Sequence, residues 1–193
     1  MMVSDLLIQN IHFLYVAISA FTTLALVLGD WDQQSVAYIH ALVSFWSGLV
    51  YTNFIFEFFP VQFTPYVDWI FSTPLIVLAF GYSISNQIDF KLSLAVVSQV
   101  LVIVFGYLAF AMGNSLALFA GSTAFMVIML SSIYLLTFEE YPQLFALLSL
   151  TWVGYPLIYL LYGGQLHEAV IPLVVLPLFS KHLFSIAHSS RAD

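Results

Sequence analysis

Two charged side chains lie deep inside apolar stretches of the sequence, where a charge needs a specific reason. Lys181 lies in LPLFSKHLFSIAH and Asp68 lies in TPYVDWIFSTPL. A desolvated lysine amine is suited to forming an imine with a carbonyl compound. A protonated imine in an apolar interior requires a counter-charge, which a carboxylate supplies. The two residue types therefore indicate a carbonyl ligand bound covalently to Lys181 and neutralised by Asp68.

Each of these residues also has a simpler explanation. In the simpler explanation, the Lys181 side chain reaches the membrane interface with its ammonium in water. This requires it to cover about 8–10 Å of helical rise. Asp68 follows Pro65 by three residues and would interact with the positive end of a helix dipole. The ligand hypothesis is favoured because Asp68 is the only carboxylate near enough in depth to pair with Lys181.

Histidines are the next candidates for chemistry, because imidazole accepts and releases protons near neutral pH. His188 follows Lys181 by seven residues, which is about 10 Å along a helix on nearly the same face. His40 lies about five residues into an apolar segment. As alternatives, His40 would bond a neighbouring carbonyl and His188 would lie at a frayed, interfacial helix end. The sequence indicates only packing or a subunit contact for His182.

The elements that must position these residues are seven apolar stretches. A bilayer core of about 30 Å requires roughly 20 helical residues per crossing. The predicted spans are Leu6–Leu28, Ser35–Phe59, Tyr66–Ile84, Leu92–Met112, Leu116–Leu136, Tyr141–Leu161 and Val170–Ile186. Short polar or turn-rich breaks such as SNQID and GNS separate them, so neighbouring helices must be antiparallel. The sequence predicts an all-α, seven-transmembrane helix bundle that forms one domain over residues 1–193.

Composition excludes several other classes of protein. Of the 193 residues, 62% are hydrophobic and 7% are charged, and the mean hydropathy is +1.02. A soluble domain needs far more charge to cover its surface. Only three residues are Lys or Arg, which argues against nucleic-acid binding. Because there is no Cys, disulfides and thiolate metal sites are excluded, and we expect no metal site.

The orientation in the membrane follows from two basic residues outside the last span. Lys91 follows three crossings and Arg191 follows seven, so both lie on the same side. The positive-inside rule makes that side cytoplasmic and the N-terminus extracellular in a multi-pass protein of the cell membrane. The start of the chain lacks a basic n-region, so no cleavable signal is expected. Glu57 and Glu168 are candidate proton carriers near the outer face.

Three runs resemble the signatures of one known family. YVDWIFSTPLIVL resembles the third-helix signature of microbial rhodopsins, TWVGYPLIY their sixth-helix signature, and LPLFSKH their retinal-lysine segment. The resemblance covers essentially the whole chain. It implies that Lys181 binds all-trans retinal as a Schiff base and that Asp68 is the primary counterion. The residues that it places along the polyene are Trp69, Ser72, Thr73, Trp152, Tyr155, Pro156 and Ser180, with Tyr51 and Tyr159 as additions.

A narrower resemblance is to the xenorhodopsin branch, through WSGLVYTNF and VVLPLFSK. Pumps of the family generally have a second carboxylate four residues before the lysine, and this chain has Pro177 there. The arginine usually found three residues before the aspartate is replaced by Pro65. The resemblance therefore implies a retinal site with one counterion and no arginine on its outer side.

The same resemblance bears on the direction of transport. Outward pumps have a proton donor eleven residues after the counterion, and this chain has Ala79 there. In xenorhodopsins, a histidine at the position of His40 accepts the proton together with an aspartate at the position of His188. The acceptor here would be the His40–His188 pair or His40 alone. The implied function is light-driven inward proton transport by a lipid-embedded homo-oligomer, a trimer in the family, and not an enzymatic reaction.

Two other functions remain open at this stage. A photosensor that signals through a partner is compatible with Pro177, which some sensory rhodopsins share, although the C-terminus SIAHSSRAD is short. A retinal-free receptor or transporter of seven helices is the second possibility. A transporter is expected to have broken helices or inverted repeats, and the sequence has neither pattern.

Overall fold

Seven membrane-spanning segments form the protein. The computed structural model describes residues 2–163 and 169–190, with side chains from residue 8 onward. Within these residues, seven helical segments are long and apolar enough to cross a membrane, which confirms the predicted all-α fold. The helices are α1 (Met2–Leu28), α2 (Gln34–Tyr51), α3 (Asn53–Phe56), α4 (Thr64–Ser85), α5 (Phe90–Ala111), α6 (Leu116–Thr137), α7 (Pro142–Leu161), α8 (Val170–Pro177) and α9 (Phe184–Ser189).

Two of the spans are composite. The second span consists of α2 and α3, and a 3-10 turn at Val61–Phe63 precedes the third. In the seventh span, six residues of π-helix, Leu178–Leu183, connect α8 to α9. Two residues used above lie outside the described residues: Arg191, used for orientation, and Glu168, a candidate proton carrier.

The span ends have local causes in the sequence. The Asp89 carboxylate accepts a hydrogen bond from the Leu92 backbone N–H at 2.8 Å and so caps the start of α5. Asn86 ends α4 in the left-handed conformation, with φ of 50°. Pro142 opens α7, where its missing N–H costs no helical hydrogen bond. These caps produce the short antiparallel connections that the sequence predicts.

Two predicted boundaries were wrong by several residues. The second span ends at Phe56 and not at Phe59, because Glu57 takes a left-handed φ of 51°. The seventh span continues beyond Ile186 to Ser189, whose carbonyl accepts a hydrogen bond from the Gln33 backbone N–H at 3.4 Å. His188 therefore lies within a buried helical turn and not at a frayed end.

Polarity is distributed inside out compared with a soluble protein. Large apolar side chains cover the outside, as in Phe21, Leu28 and Leu161, which are 71%, 79% and 80% exposed. Lipid solvates these groups, whereas an unpaired polar group in lipid costs several kcal/mol. Polar side chains that are completely buried include Ser19, His40, Ser44, Ser47, Asp68, Ser72, Ser180, Ser185 and His188. The bundle interior is therefore the place where proton chemistry can occur.

Candidate functional site

Lys181 and Asp68 form an ion pair in the middle of the bundle. The Lys181 side chain is 1% exposed and the Asp68 side chain is completely buried. Nζ of Lys181 contacts Oδ2 of Asp68 and also donates to Oγ of Ser72 at 2.7 Å and Oγ of Ser47 at 3.2 Å. All three ammonium donors are thus satisfied. Full pairing of this kind is what allows two charges to remain in a dry interior.

Three spans position this cluster. Asp68 and Ser72 lie one turn apart on α4, and the Ser72 hydroxyl also donates to the Asp68 carbonyl at 2.8 Å. Ser47 on α2 donates to Oδ2 of Asp68 at 3.2 Å, so it contacts both members of the ion pair. Lys181 lies within the π-helical segment of the seventh span. Such π turns occur frequently at functional sites.

The hydrogen-bond network continues into the first span. Ser47 shares a hydrogen bond of 2.8 Å with the Tyr15 hydroxyl. Ser19, one turn further along α1, is hydrogen-bonded to Nε2 of His182 at 3.1 Å. His182 is therefore a packed and hydrogen-bonded group inside the bundle. Sequence reasoning missed Tyr15, because tyrosine in an apolar helix is common and Tyr15 belongs to no motif. It gave Ser47 no role, although Ser47 lies within the WSGLVYTNF run.

His40 and His188 are in direct contact. Nε2 of His40 lies 2.9 Å from Nδ1 of His188, and both side chains are completely buried. The remaining ring nitrogen of His188, Nε2, lies 2.9 Å from Oγ of Ser83 on α4. The rings of Phe80 and Phe184 pack edge-on against the pair. The two histidines therefore form one imidazole pair in an aromatic environment, on the Ser83 side of Lys181.

Two buried serines lie between the ion pair and the imidazole pair. Ser44 is placed between His40 and Ser47 along α2, and Ser185 is placed between Lys181 and His188 along the seventh span. The contacts Ser47–Lys181 and His40–His188 fix an antiparallel register that brings Ser44 and Ser185 to the same depth. Their hydroxyls, and Nδ1 of His40, have no hydrogen-bond partner among the described residues. A buried polar atom without a partner calls for an explanation.

An apolar, aromatic-walled cavity lies beside the ion pair, between α4, α5, α6 and α7. Its empty volume, including its open mouth, is about 660 Å³. Its walls include Tyr66, Trp69, Thr73, Gln99, Met126, Trp152, Tyr155, Pro156 and Tyr159. Trp69 directly follows Asp68 in the chain, and Thr73 directly follows Ser72. The same stretch of α4 therefore supplies residues to both the ion pair and the cavity wall.

The sequence matches the family model described as bacteriorhodopsin-like protein over residues 6–191. The chain belongs to this family of microbial rhodopsins. Its members are ion pumps and sensors that bind retinal through a lysine Schiff base. Among the described residues of this rhodopsin, the buried lysine is Lys181.

Solved rhodopsin structures share the fold at low sequence identity. A xenorhodopsin described as an inward H⁺ pump is 22% identical, with a TM-score of 0.82 over 94% of this chain and 91% of that one. Halorhodopsin from Halobacterium salinarum, in its bromide-bound form, is 19% identical, with a TM-score of 0.83 over 96% and 93%. Xanthorhodopsin, described as a light-driven ion pump with dual chromophore, is 18% identical, with a TM-score of 0.81 over 96% and 94%. Comparison with curated protein sequences finds no match.

The side chains present in this rhodopsin fit the chemistry of retinal. A Schiff-base nitrogen carries one proton, and the amine of Lys181 already contacts a carboxylate that can accept a hydrogen bond from it. Oδ1 of Asp68 is buried without a partner among the described residues, so the carboxylate retains accepting capacity. A polyene needs an apolar groove, and the aromatic cavity lined by Trp69, Trp152 and Tyr155 supplies one.

The structure brings most of the predicted site residues to the cavity or to the ion pair, but not all. Trp69, Thr73, Trp152, Tyr155, Pro156 and Tyr159 line the cavity, and Ser72 contacts Lys181. Tyr51 does not line it: its hydroxyl donates to the Leu173 carbonyl at 2.9 Å and its ring packs on Tyr15. Pro177 and Ser180 are buried on the seventh span and are not among the residues that line the cavity.

The sequence also missed one polar group on the cavity wall. Gln99 on α5 donates a hydrogen bond to the Thr73 hydroxyl at 2.7 Å. Both side chains are buried, and both line the cavity. The only sequence signal for Gln99 was an amide in the middle of an apolar helix, which is costly there unless it is paired.

Proposed function

We propose that this rhodopsin is a light-driven inward proton pump, with all-trans retinal bound as a Schiff base to Lys181. The observation that carries the proposal is the contact between His40 and His188, which offers a proton acceptor on one side of Lys181. Asp68 serves as the counterion, because it is the carboxylate in contact with Nζ. Bound retinal supplies light absorption and an isomerisation that reorients the proton on Nζ.

The residues on the Ser83 side of Lys181 are suited to accepting a proton and unsuited to donating one. Ala79 occupies the position eleven residues after Asp68, and it is completely buried. An alanine cannot supply a proton. The imidazole pair can take one up, since each neutral ring has one nitrogen that is able to accept it.

Ser44 and Ser185 connect the two clusters in this proposal. A proton that leaves Nζ must travel about 10 Å to reach the imidazole pair. The two serine hydroxyls and Nδ1 of His40 lie along that distance with unused hydrogen-bonding capacity. Bridging hydroxyls, or one water bound between the three groups, would complete the path. Before illumination, Asp68, Ser47 and Tyr15 hold the Nζ proton on the side of Lys181 that faces away from Ser83.

The direction follows from the membrane orientation. The connections after the first, third and fifth spans lie on the same side of the bundle as His188, and the last basic residue before the seventh span, Lys91, lies on that side. The positive-inside rule makes it the cytoplasmic side of the cell membrane and places the N-terminus outside. Protons accepted by the imidazole pair would therefore leave into the cytoplasm. We expect a homo-oligomer, a trimer by family resemblance.

The experiment is to express the chain with all-trans retinal and record both colour and external pH under light. A visible band that is lost in Lys181→Ala, and kept in the control Lys91→Ala, is expected. Alkalinisation of a cell suspension, abolished by a protonophore, is expected for an inward pump. Acidification would contradict the direction. Colour without any pH change would favour the sensory function that the Pro177 resemblance allows.

A further inference from the structure

A second polar cavity lies at the end of the bundle next to the imidazole pair. It is lined by Asp32, Gln33, Ser83, Asn86, Glu140 and Tyr141, and its empty volume, including its open mouth, is about 1480 Å³. Polar side chains dominate this set, in contrast to the aromatic cavity beside Asp68. We call it the vestibule. It lies between the ends of the first, third and fifth spans.

Ser83 belongs to both the vestibule and the imidazole pair. Its hydroxyl lies 2.9 Å from Nε2 of His188 and donates to the Phe80 carbonyl at 2.9 Å. It is partly exposed, whereas His188 is completely buried. Ser83 therefore links the vestibule by a hydrogen bond to a group that the proposed pathway uses.

Charge and packing at the mouth of the vestibule support the movement of a proton from His188 into the cytoplasm. Asp32 and Glu140 are exposed and come from different connections, one after the first span and one after the fifth. These connections are tied together beneath the mouth, where Nε2 of Gln33 donates to the Tyr141 hydroxyl at 3.3 Å. Two carboxylates around an opening attract protons and concentrate them there.

We propose that Ser83 is the exit relay of the pump, which passes protons from His188 into the acidic vestibule. This inference rests on the proposed function, since it assigns the release route of the same site. The Ser83 oxygen takes the Nε2 proton of a protonated imidazole pair, while the hydroxyl's own proton turns from the Phe80 carbonyl and passes to water in the vestibule. The pair becomes neutral with Nε2 of His188 unprotonated, and the Ser83 hydroxyl then donates to that nitrogen. The starting hydrogen bonds return when the tautomers of the pair switch back.

The test compares three variants with the parent protein. Ser83→Ala removes the relay, and Ser83→Thr keeps a hydroxyl at the same place. Ser85→Ala is the matched control, because the Ser85 hydroxyl lies two residues away but donates to the Gly81 and Gln87 carbonyls and does not line the vestibule. Inside-out vesicles expose the cytoplasmic face to an impermeant pH dye. Flash spectroscopy follows loss of the Nζ proton in the same sample.

In the parent protein, the dye should report protons shortly after Nζ loses its own. Ser83→Ala should leave the first event unchanged and delay the dye signal by about tenfold or more. Ser83→Thr and Ser85→Ala should behave like the parent. In the dark, the ¹⁵N resonance of His188 Nε2 should shift in Ser83→Ala and not in Ser85→Ala.

The outcomes separate the two proposals. An undelayed dye signal in Ser83→Ala, with release still on the cytoplasmic face, would overturn the relay and leave the inward pump standing. No proton release on that face from the parent protein would overturn the inward pump and, with it, the exit relay. A delay that is equally large in Ser85→Ala would show that the helix end, and not the Ser83 hydroxyl, controls release.

Discussion

The interior of this rhodopsin holds two proton-binding clusters of opposite construction. In the first, Lys181 and Asp68 carry opposite charges, and serine hydroxyls satisfy the ammonium. In the second, His40 and His188 are chemically identical rings enclosed by phenylalanines. The first cluster can lose its proton only by breaking an ion pair. The second can pass a proton between its two members without separating opposite charges.

In the proposed pump, this difference decides which cluster keeps a proton and which transmits one. Two facing imidazole nitrogens 2.9 Å apart cannot both carry a proton between them, so the pair has one donor and one acceptor at that contact. A single additional proton would charge the pair, in an aromatic environment that solvates charge poorly. The ion pair is therefore suited to storage in the dark, and the imidazole pair to a short stay during transfer.

The largest effect should come from Asp68→Asn, which leaves the Lys181 charge buried without its partner. Loss of one member of a buried ion pair costs about 3–5 kcal/mol of stability. We therefore expect the melting temperature to fall. With retinal bound, the absorption band should move to longer wavelength, since the carboxylate stabilises the positive nitrogen of the ground state. Thermal unfolding and absorption spectra measure both effects.

Glu139→Gln is the control for Asp68→Asn, because Glu139 is an exposed carboxylate in the turn after the fifth span. It should change neither the spectrum nor the stability by more than about 0.5 kcal/mol. If Asp68→Asn left the absorption band unmoved, Asp68 would not be the counterion, and the ion pair would have only a structural role.

The next largest effect should come from His188→Ala, which removes one half of the imidazole pair and the contact with Ser83. Transport should fall by about a hundredfold, while the absorption band stays in place, because His188 lies about 10 Å from Lys181. His188→Asp tests the departure from the xenorhodopsin pattern, and it should retain transport if an acceptor is all that the position requires. Equal loss in both variants would show that the imidazole itself is needed.

A smaller effect is expected for the serines between the clusters. Ser44→Ala and Ser185→Ala should each slow transfer from Nζ to the imidazole pair several-fold, because either hydroxyl can still hold a bridging water. The delay in the double variant should exceed the sum of the delays in the two single variants. Ser132→Ala is the control, since that buried hydroxyl bonds its own helix at the Ile128 carbonyl. Unchanged kinetics in the double variant would remove the serines from the pathway.

The two clusters also differ in how far the sequence alone could predict them. The ion pair was predictable, because a charge in an apolar helix is rare and Asp68 and Lys181 are the two that need each other. The contact of His40 with His188 was predictable only as a possibility, since it depends on how α2 packs against the seventh span. Helical spacing gave the depth of each residue in the membrane, but it did not show which residues of two separate helices face each other.

The rest of the site was hidden from the sequence for two physical reasons. Ser83 and Gln99 lie in no motif, and Ser47 lies in one that assigns it no role. The contacts of all three are between spans, which spacing along the sequence does not reveal. The π-helical turn at Leu178–Leu183 alters the helical periodicity at Lys181, and no residue type in this stretch predicts such a turn. Span number and approximate boundaries were predictable, because bilayer thickness fixes helix length.

The smallest effect should come from the mouth of the vestibule, where the side chains are exposed and screened by salt. Asp32→Asn combined with Glu140→Gln should slow proton release less than Ser83→Ala does, and mainly at low ionic strength, since the Debye length is about 30 Å at 0.01 M salt and about 3 Å at 1 M. Release measured with an impermeant pH dye across that range checks this. Asp89→Asn is unsuitable as a control because Asp89 caps α5, so Glu139→Gln serves again. A salt-independent effect equal to that of Ser83→Ala would mean that the carboxylates bind the transferred proton directly.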